Sequence, residues 1–212
     1  MSTIDKNILS WRYATKKFDP SKKIPQTQLD ELLEVLRLAP SSYGLQPWKF
    51  IVVKNEGLRK ELKAHSWNQP QIVEASDLIV LCALKNLDEA YVKNYVRQIA
   101  AQRGVTPESL KNYEDMMISF VKNHSKEEIS EWMKRQVYIA LGFLIFAASE
   151  RHIDSCPMEG FDSKKYDEVL KLEQQGLQSV VLCTVGYRAQ DDPYANLKKV
   201  RFNPEEVLVF KS

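Results

Sequence analysis

The spacing of hydrophobic positions along the chain predicts several helices. The clearest pattern lies between Pro25 and Pro40, where leucines recur every three or four residues and mark one buried face. A first helix is predicted to begin at a Thr3 cap and to end at Trp11. Further helices are predicted for residues 57–65, 87–103, 107–122, 127–151 and 162–172.

These helices differ in their polarity. Those at 87–103 and 107–122 are polar and are expected at the periphery. The longest helix, 127–151, becomes apolar around most of its circumference towards its end. Such a helix is expected in a core or at a subunit interface.

Four short apolar runs predict β-strands, at residues 48–53, 77–84, 153–158 and 178–187. The second and fourth runs are almost continuously apolar, as in strands that are covered on both faces. Helices lie before, between and after the strands and outweigh them, which predicts a sheet between helical layers. The C-terminal segment, residues 196–212, is basic and then apolar. Its apolar end is expected to pack against another surface, and one possibility is that it lies along the edge of a partner's sheet.

Length and composition limit the class of protein. A chain of 212 residues corresponds to one domain or two small ones, and the lack of repeats and linkers favours a single domain over residues 1–212. The N-terminus has no apolar signal-peptide core. The longest apolar stretch, 137–148, is shorter than the ~20 residues that a membrane span needs. We therefore expect a cytoplasmic protein without a membrane partner.

Charge, glycine and cysteine content exclude several functions. The net charge of +2 provides no general attraction for nucleic acid. The seven glycines never form the glycine-rich motifs of Rossmann folds, P-loop NTPases or nucleophile-elbow hydrolases. The three cysteines and three histidines are scattered, so buried free thiols are a better interpretation than a disulfide or a metal site.

Two basic segments are candidate anion sites. Arg12 and Lys16 are four residues apart and are expected on one helix face. Residues 198–201 contain three cations, among them Lys199 and Arg201. Arginine offers a planar fork to a phosphate and lysine a point charge. Taken singly, a solvated charged surface is the simpler interpretation of both.

Three uncharged or mixed segments are candidate ligand contacts. The loop between Pro40 and Trp48 contains two serine hydroxyls, a glycine and an amide, which can form hydrogen bonds with a polar ligand. Asn68 and Gln71 are neutral amides in a predicted loop, and an amide suits the edge of a heterocyclic ring. Residues 157–160 end a strand at a glycine, where a ligand can approach the backbone. An ordinary loop or turn is the alternative for each.

In this order and spacing, the five segments resemble the FMN-dependent nitroreductase family over nearly the whole chain. The resemblance is greatest to the oxygen-insensitive NAD(P)H nitroreductases, a group that includes quinone and dihydropteridine reductases. The most specific matches are residues 12–19, Pro40-Ser41-Ser42 with Gln46-Pro47-Trp48, Pro157-x-Glu159-Gly160 and Lys199-x-Arg201. Trp132-Met133 and Gln136-Val137-Tyr138 are similar to the family's central helix.

The resemblance implies an α+β fold in a three-layer α/β/α arrangement with a mainly antiparallel sheet. It also implies an intertwined homodimer with FMN at the subunit interface. The tail, about residues 196–212, would extend onto the partner, and the helix at 137–148 would pack at the dimer core.

The resemblance also implies roles for individual residues in binding FMN. Arg12, Lys199 and Arg201 would hold the phosphate, with contacts from Tyr13 and Ala14 beside them. Lys16, Asn68 and Gln71 would lie at the polar edge of the ring system. Ser41 and Ser42 would come from the other subunit, and Gly44 of the same loop is also assigned to the cofactor site. Pro157, Met158, Glu159 and Gly160 would lie along the flavin, with a backbone N–H near N5.

The implied reaction is ping-pong: NADH or NADPH reduces the cofactor, and a nitroarene, a quinone or a similar small electron acceptor then takes its place. Alternatives are a more specific dihydropteridine or quinone reductase, and a non-catalytic FMN-binding protein. Close relatives often have Asn where this chain has Gly44, so we expect one fewer side-chain contact to FMN. They often have Lys where this chain has Gln71, so we expect a lower flavin reduction potential. Residues 110–122 are interpreted as either a lip over the substrate or a peripheral packing helix.

Overall fold

A four-stranded antiparallel sheet forms the centre of the structure, a computed structural model that describes residues 6–211. The strands are β1 (Trp48–Val53), β2 (Asp77–Leu84), β3 (Asp154–Met158) and β4 (Leu177–Gly186). Their order in the sheet is β1-β2-β4-β3, and every pair is antiparallel. The four predicted strands are confirmed to within one residue at each end.

Nine α-helices surround the sheet within the described range. They are α1 (Lys6–Trp11), α2 (Gln26–Leu38), α3 (Glu56–Ala64), α4 (Gln71–Glu74), α5 (Glu89–Arg103), α6 (Lys111–Lys122), α7 (Lys126–Glu150), α8 (Ser163–Val169) and α9 (Pro204–Val207). Short 3₁₀ turns lie at Ser42–Gly44, Pro107–Leu110 and Glu173–Gln175. The predicted Thr3 cap lies outside the described residues.

Helices cover both faces of the sheet, which confirms the layered α+β architecture. Alternate residues of β2 point to opposite faces: Ile79 and Leu81 pack with α2, α5, α6 and α7, whereas Leu78 and Val80 pack with α3, α4 and α8. All eight residues of β2 are buried except Leu84, which is partly buried. This double coverage explains the near-continuous apolar run in its sequence.

Helix α7 combines a buried face with an exposed apolar face. A capping box between Ser125 and Glu128 starts it. Its buried face includes Met133, Val137, Leu141 and Leu144. The opposite face exposes Tyr138, Ile139, Phe143 and Phe146. Within residues 6–211, no helix is both long enough and apolar enough to cross a bilayer.

Several predictions about local structure are wrong. Helices α5 and α6 are not merely peripheral, because they contribute Val92, Val96 and Met117 to the core. The predicted helix at 107–122 is a 3₁₀ turn followed by α6. The polar residues of these segments face outward, and their few apolar residues suffice to pack them on the sheet. The short helix α9 in the tail was not predicted.

Candidate functional site

A cationic cavity of about 480 Å³ lies where the end of α1, residues 12–16 and the tail meet. Of the described residues that line it, six are cationic and none is acidic. The cations are Arg12, Lys16, Arg188, Lys198, Lys199 and Arg201. Tyr13 and Ala14 also line it, so the structure brings together every residue that the resemblance assigns to the phosphate.

The segment that carries Arg12 and Lys16 is extended, so the expectation of a shared helix face is wrong. α1 ends at Trp11, and Ala14 forms an isolated parallel bridge with Ser155 of β3. The backbone N–H of Thr15 donates to the Ser155 carbonyl at 3.3 Å. Arg12 and Lys16 lie on either side of this bridge, and both line the cavity.

Asp192 anchors this segment to the chain that follows β4. Its Oδ2 accepts hydrogen bonds from the backbone N–H groups of Lys16 and Lys17, both at 2.8 Å, and its Oδ1 accepts one from Tyr194 at 2.7 Å. Burial raises the pKa of Asp192, but these backbone donors outweigh burial and hold the pKa below its usual range. Asp192 therefore stays ionised and keeps Lys16 beside the cavity.

Two of the cations, Arg12 and Lys199, are electrostatically unsatisfied. Burial, with the nearby charge of Arg201, lowers the pKa of Arg12. Burial, with the charges of Arg12 and Arg201, lowers the pKa of Lys199. The Lys199 Nζ donates to the backbone carbonyl of Arg12, which holds the two residues together despite their repulsion. Converging cations with no acidic partner among the cavity-lining residues fit a phosphate group.

Residues 157–160 form a second part of the site, packed against the chain before α4. Gln69 Nε2 donates to the carbonyl of Gly160 at 2.9 Å. The indole of Trp67 lies on Gly160, where a Cβ would be 2.5 Å from its Cζ3 atom. The packing of Trp67 is therefore a structural reason for a glycine at position 160, in addition to the predicted role of Gly160 beside the flavin. Trp67 is itself 77% exposed and has φ of 53°, a backbone conformation that residues other than glycine rarely adopt.

Glu159 is tied to helix α7. The hydroxyl of Tyr138 donates to Glu159 Oε1 at 2.5 Å. Burial and this hydrogen bond raise the pKa of Tyr138 to about 12, so the phenol keeps its proton. The neighbouring Pro157 and Met158 belong to β3, and Met158 is buried.

Gln71 was predicted to lie in a loop, but it is the first residue of helix α4. It follows Pro70, whose fixed φ favours a helix start, and it is buried. Its Oε1 has no hydrogen-bond partner within residues 6–211, which a bound ligand could satisfy. Asn68, by contrast, is exposed and has φ of 55°.

Electrostatic effects at Cys156 link these two parts of the site. Burial raises the pKa of the Cys156 thiol, whereas the positive charges of Lys16 and Arg12 act in the opposite direction. The cationic cavity lies close to β3, because Ala14 in its wall pairs with Ser155. All three cysteines are buried free thiols, as predicted. Among the described residues, no group of three or more acidic, histidine or cysteine side chains has a geometry that would hold a metal.

The loop with the two serines lies elsewhere, against α5, α6 and α7. Gln136 Oε1 of α7 accepts from the N–H of Ser42 at 2.9 Å, and Ser41 Oγ accepts from the N–H of Gln46 at 2.9 Å. Gly44 has φ of 67°, and the Tyr95 hydroxyl occupies the place of a Cβ. Asn cannot replace Gly44 here without displacing Tyr95. None of these three loop residues lines the cationic cavity of the same described chain.

Helix α6 packs on this loop. The Tyr113 hydroxyl donates to the carbonyl of Tyr43 at 2.6 Å, and Phe120 lies 5.1 Å from the ring of Trp132. Met117 and Ile118 are buried, which supports the packing interpretation, whereas Met116 is exposed. The lip over a substrate stays a prediction.

Sequence reasoning did not identify Arg188, Tyr194 and Trp67. Arg188 and Tyr194 line the cationic cavity, and Trp67 lies on Gly160. Each is a single residue outside a motif, and only the fold brings them to the site.

Comparison with known proteins identifies the family and the fold. The Nitroreductase family profile matches residues 9–187. A Staphylococcus haemolyticus protein, provisionally named as an NAD(P)H nitroreductase, is 36% identical over 210 residues, 95% of this chain and 94% of that one.

Two solved structures share the fold. One, a Bacillus subtilis protein provisionally named as a nitroreductase, has a TM-score of 0.86 at 19% identity and covers 97% of both chains. Another, from Exiguobacterium sibiricum, was solved in complex with FMN and has a TM-score of 0.82 at 21% identity, covering 100% of this chain and 99% of that one. From the profile match and the relative's identity, the chain belongs to the nitroreductase family.

Proposed function

We propose that the chain is an FMN-dependent NAD(P)H oxidoreductase that reduces nitroaromatic, quinone or similar electron-poor small molecules. The cationic cavity carries this proposal, because it gathers Arg12, Lys199 and Arg201 without an acidic partner among its described lining residues. Family membership, the name of the staphylococcal relative and the FMN in the Exiguobacterium structure support it.

The residues present fit FMN. Arg12, Lys199 and Arg201 hold the phosphate, with Tyr13 and Ala14 beside it. The polar edge of the ring is met by Lys16, Asn68 and Gln71, and residues 157–160 lie along the ring. The unpartnered Gln71 Oε1 supports this placement, because a buried acceptor calls for a donor from a ligand.

FMN supplies reversible two-electron chemistry, which takes a hydride from NAD(P)H and passes it to the acceptor. The side chains of the protein orient the bound flavin and set the electrostatic environment of its ring. Lys16, held by the Asp192 anchor, keeps positive charge beside the reduced ring, where negative charge develops. Tyr138 holds the Glu159 carboxylate and so steadies the backbone of residues 157–160.

We further propose a homodimer in the cytoplasm. Ser41 and Ser42 then reach the partner's flavin, which agrees with their distance from the cationic cavity of their own chain. The exposed face of α7 and the apolar tail supply surfaces that need a cover. β1 is an edge strand of the described sheet, so its outer edge is open to a partner's tail.

Anaerobic reduction by NADH and by NADPH tests the function. The protein reconstituted with FMN is expected to lose its absorbance near 450 nm with at least one nucleotide and to regain it when menadione or nitrofurazone is added. Initial rates at several fixed acceptor concentrations should give parallel double-reciprocal lines, as ping-pong kinetics require. A flavin that neither nucleotide bleaches contradicts an oxidoreductase and favours a simple FMN-binding protein.

Replacing Gln71 by lysine is expected to raise the flavin reduction potential. A cation near the N1/O2 edge stabilises the negative charge of the reduced ring, and a tenfold stabilisation corresponds to about 30 mV for a two-electron couple. Potentials are measured by equilibration with a reference dye, and Gln71→Met serves as the neutral control. An unchanged or lower potential in Gln71→Lys argues against Gln71 lying at that edge.

A further inference from the structure

Arg188 occupies an unusual place in the wall of the cationic cavity. It follows β4, and its guanidinium lies between two aromatic rings, 4.2 Å from the ring centre of Trp11 and 4.5 Å from that of Tyr13. These two rings belong to the residues immediately before and after Arg12. The stacked guanidinium therefore holds both neighbours of the principal phosphate-binding arginine.

A buried carboxylate fixes Arg188 in turn. Asp154, the first residue of β3, accepts from Arg188 Nε at 2.7 Å and from its backbone N–H at 2.9 Å, and Nη2 lies 2.5 Å from Oδ1. Thr15 Oγ1 also points to this carboxylate, at 3.4 Å. Asp154 is buried, so the pair is little screened by solvent.

The pairing with Asp154 distinguishes Arg188 from the other cations of the cavity. Its charge is neutralised by a direct ion pair, whereas Arg12, Lys199 and Arg201 repel one another. Arg188 therefore holds residues 11–13 in place and does not act as a fourth phosphate ligand.

We propose that Arg188 is a positioning residue that pre-orients Arg12 for the phosphate of the flavin. The inference rests on the proposed FMN site. Two contacts restrain Arg12 before a ligand arrives: the Arg188 stack fixes its neighbours, and Lys199 binds its carbonyl. A backbone fixed in advance around Arg12 loses less conformational entropy on binding, so these contacts raise the affinity for the phosphorylated flavin specifically.

The comparison of FMN with riboflavin tests this role, because the two ligands differ only in the phosphate. Dissociation constants are measured by quenching of flavin fluorescence on the apoprotein. Arg188→Met is expected to weaken FMN binding about tenfold and riboflavin binding little. Arg188→Lys, which keeps a charge for Asp154 but not the planar stack, is expected to be intermediate. Arg37→Met, at an exposed arginine on α2, is the matched control.

Arg188→Met leaves Asp154 unpaired, so Arg188→Met with Asp154→Asn provides a second variant without a buried unpaired carboxylate. It should show the same selective loss of FMN. An equal loss for both flavins, or no loss, overturns the positioning role and leaves Arg188 with a structural role at most.

A double-mutant cycle separates this inference from the proposed site. If Arg188 acts through Arg12, then Arg188→Met should change FMN affinity little in an Arg12→Ala background, whereas fully additive effects overturn the inference. If Arg12→Ala itself does not change the preference for FMN over riboflavin, the phosphate assignment is wrong, and the positioning role fails with it.

Discussion

Replacing Arg12 and Lys199 together by alanine is expected to raise the dissociation constant for FMN by a factor on the order of 1,000. Each side chain donates to the phosphate in the proposed site, and a hydrogen bond between charged groups contributes about 1.5–3 kcal/mol. Titration of the apoprotein with FMN, followed by fluorescence quenching, measures the loss. The affinity for FMN should also depend less on salt concentration in the variant, because fewer ionic contacts remain.

The same substitution should leave the free protein nearly as stable as before. Burial and mutual repulsion lower the pKa values of both groups, so without an anion these charges do not stabilise the fold. The apoprotein Tm should therefore change little while FMN binding is lost. Arg37→Ala with Lys60→Ala removes the same charges from exposed positions and serves as the control. If FMN affinity stays within about threefold of that control, the cavity does not hold the phosphate.

A charge in the exposed face of α7 is expected to abolish the proposed dimer. Phe143 is 46% exposed in the single chain, between Ile139 and Phe146 on the same face. In a twofold interface each substitution occurs twice, and Phe143→Glu places two carboxylates in an apolar contact. Because burying an unpaired charge costs several kcal/mol, the dimer dissociation constant should rise on the order of 1,000-fold or more. Light scattering coupled to size-exclusion chromatography measures the mass in solution.

Loss of the dimer should also reduce FMN binding, because the serine loop would no longer reach the partner's site. Val105→Glu is the matched control, since Val105 is similarly exposed, at 43%, but lies beyond the end of α5. A second variant that ends before Pro204 removes α9 and the apolar tail, and it should weaken the dimer without altering α7. A wild-type chain that is monomeric, or a Phe143→Glu variant that stays dimeric, argues against this interface.

Local patterns predicted the elements well but not the surroundings of single side chains. The continuous apolar runs of β2 and β4 predicted doubly covered strands because both faces of such strands are buried. The spacing of Arg12 and Lys16 suggested a helix, yet the pairing of Ala14 with Ser155 holds that segment extended. Ser155 is more than one hundred residues away along the chain, so no local pattern contains that pairing.

The sequence by itself determined the layered arrangement of helices on a sheet, and its motifs indicated the family and the cations that are proposed to bind the phosphate. Only the tertiary structure decided that Arg188 is stacked between Trp11 and Tyr13 and that Gly44 leaves room for Tyr95. It also showed that the serine loop lies apart from the cationic cavity of its own chain. The physical reason is the range of the interactions: periodicity and caps act within a few residues, whereas ion pairs and ring stacks join segments that only the folded chain brings together.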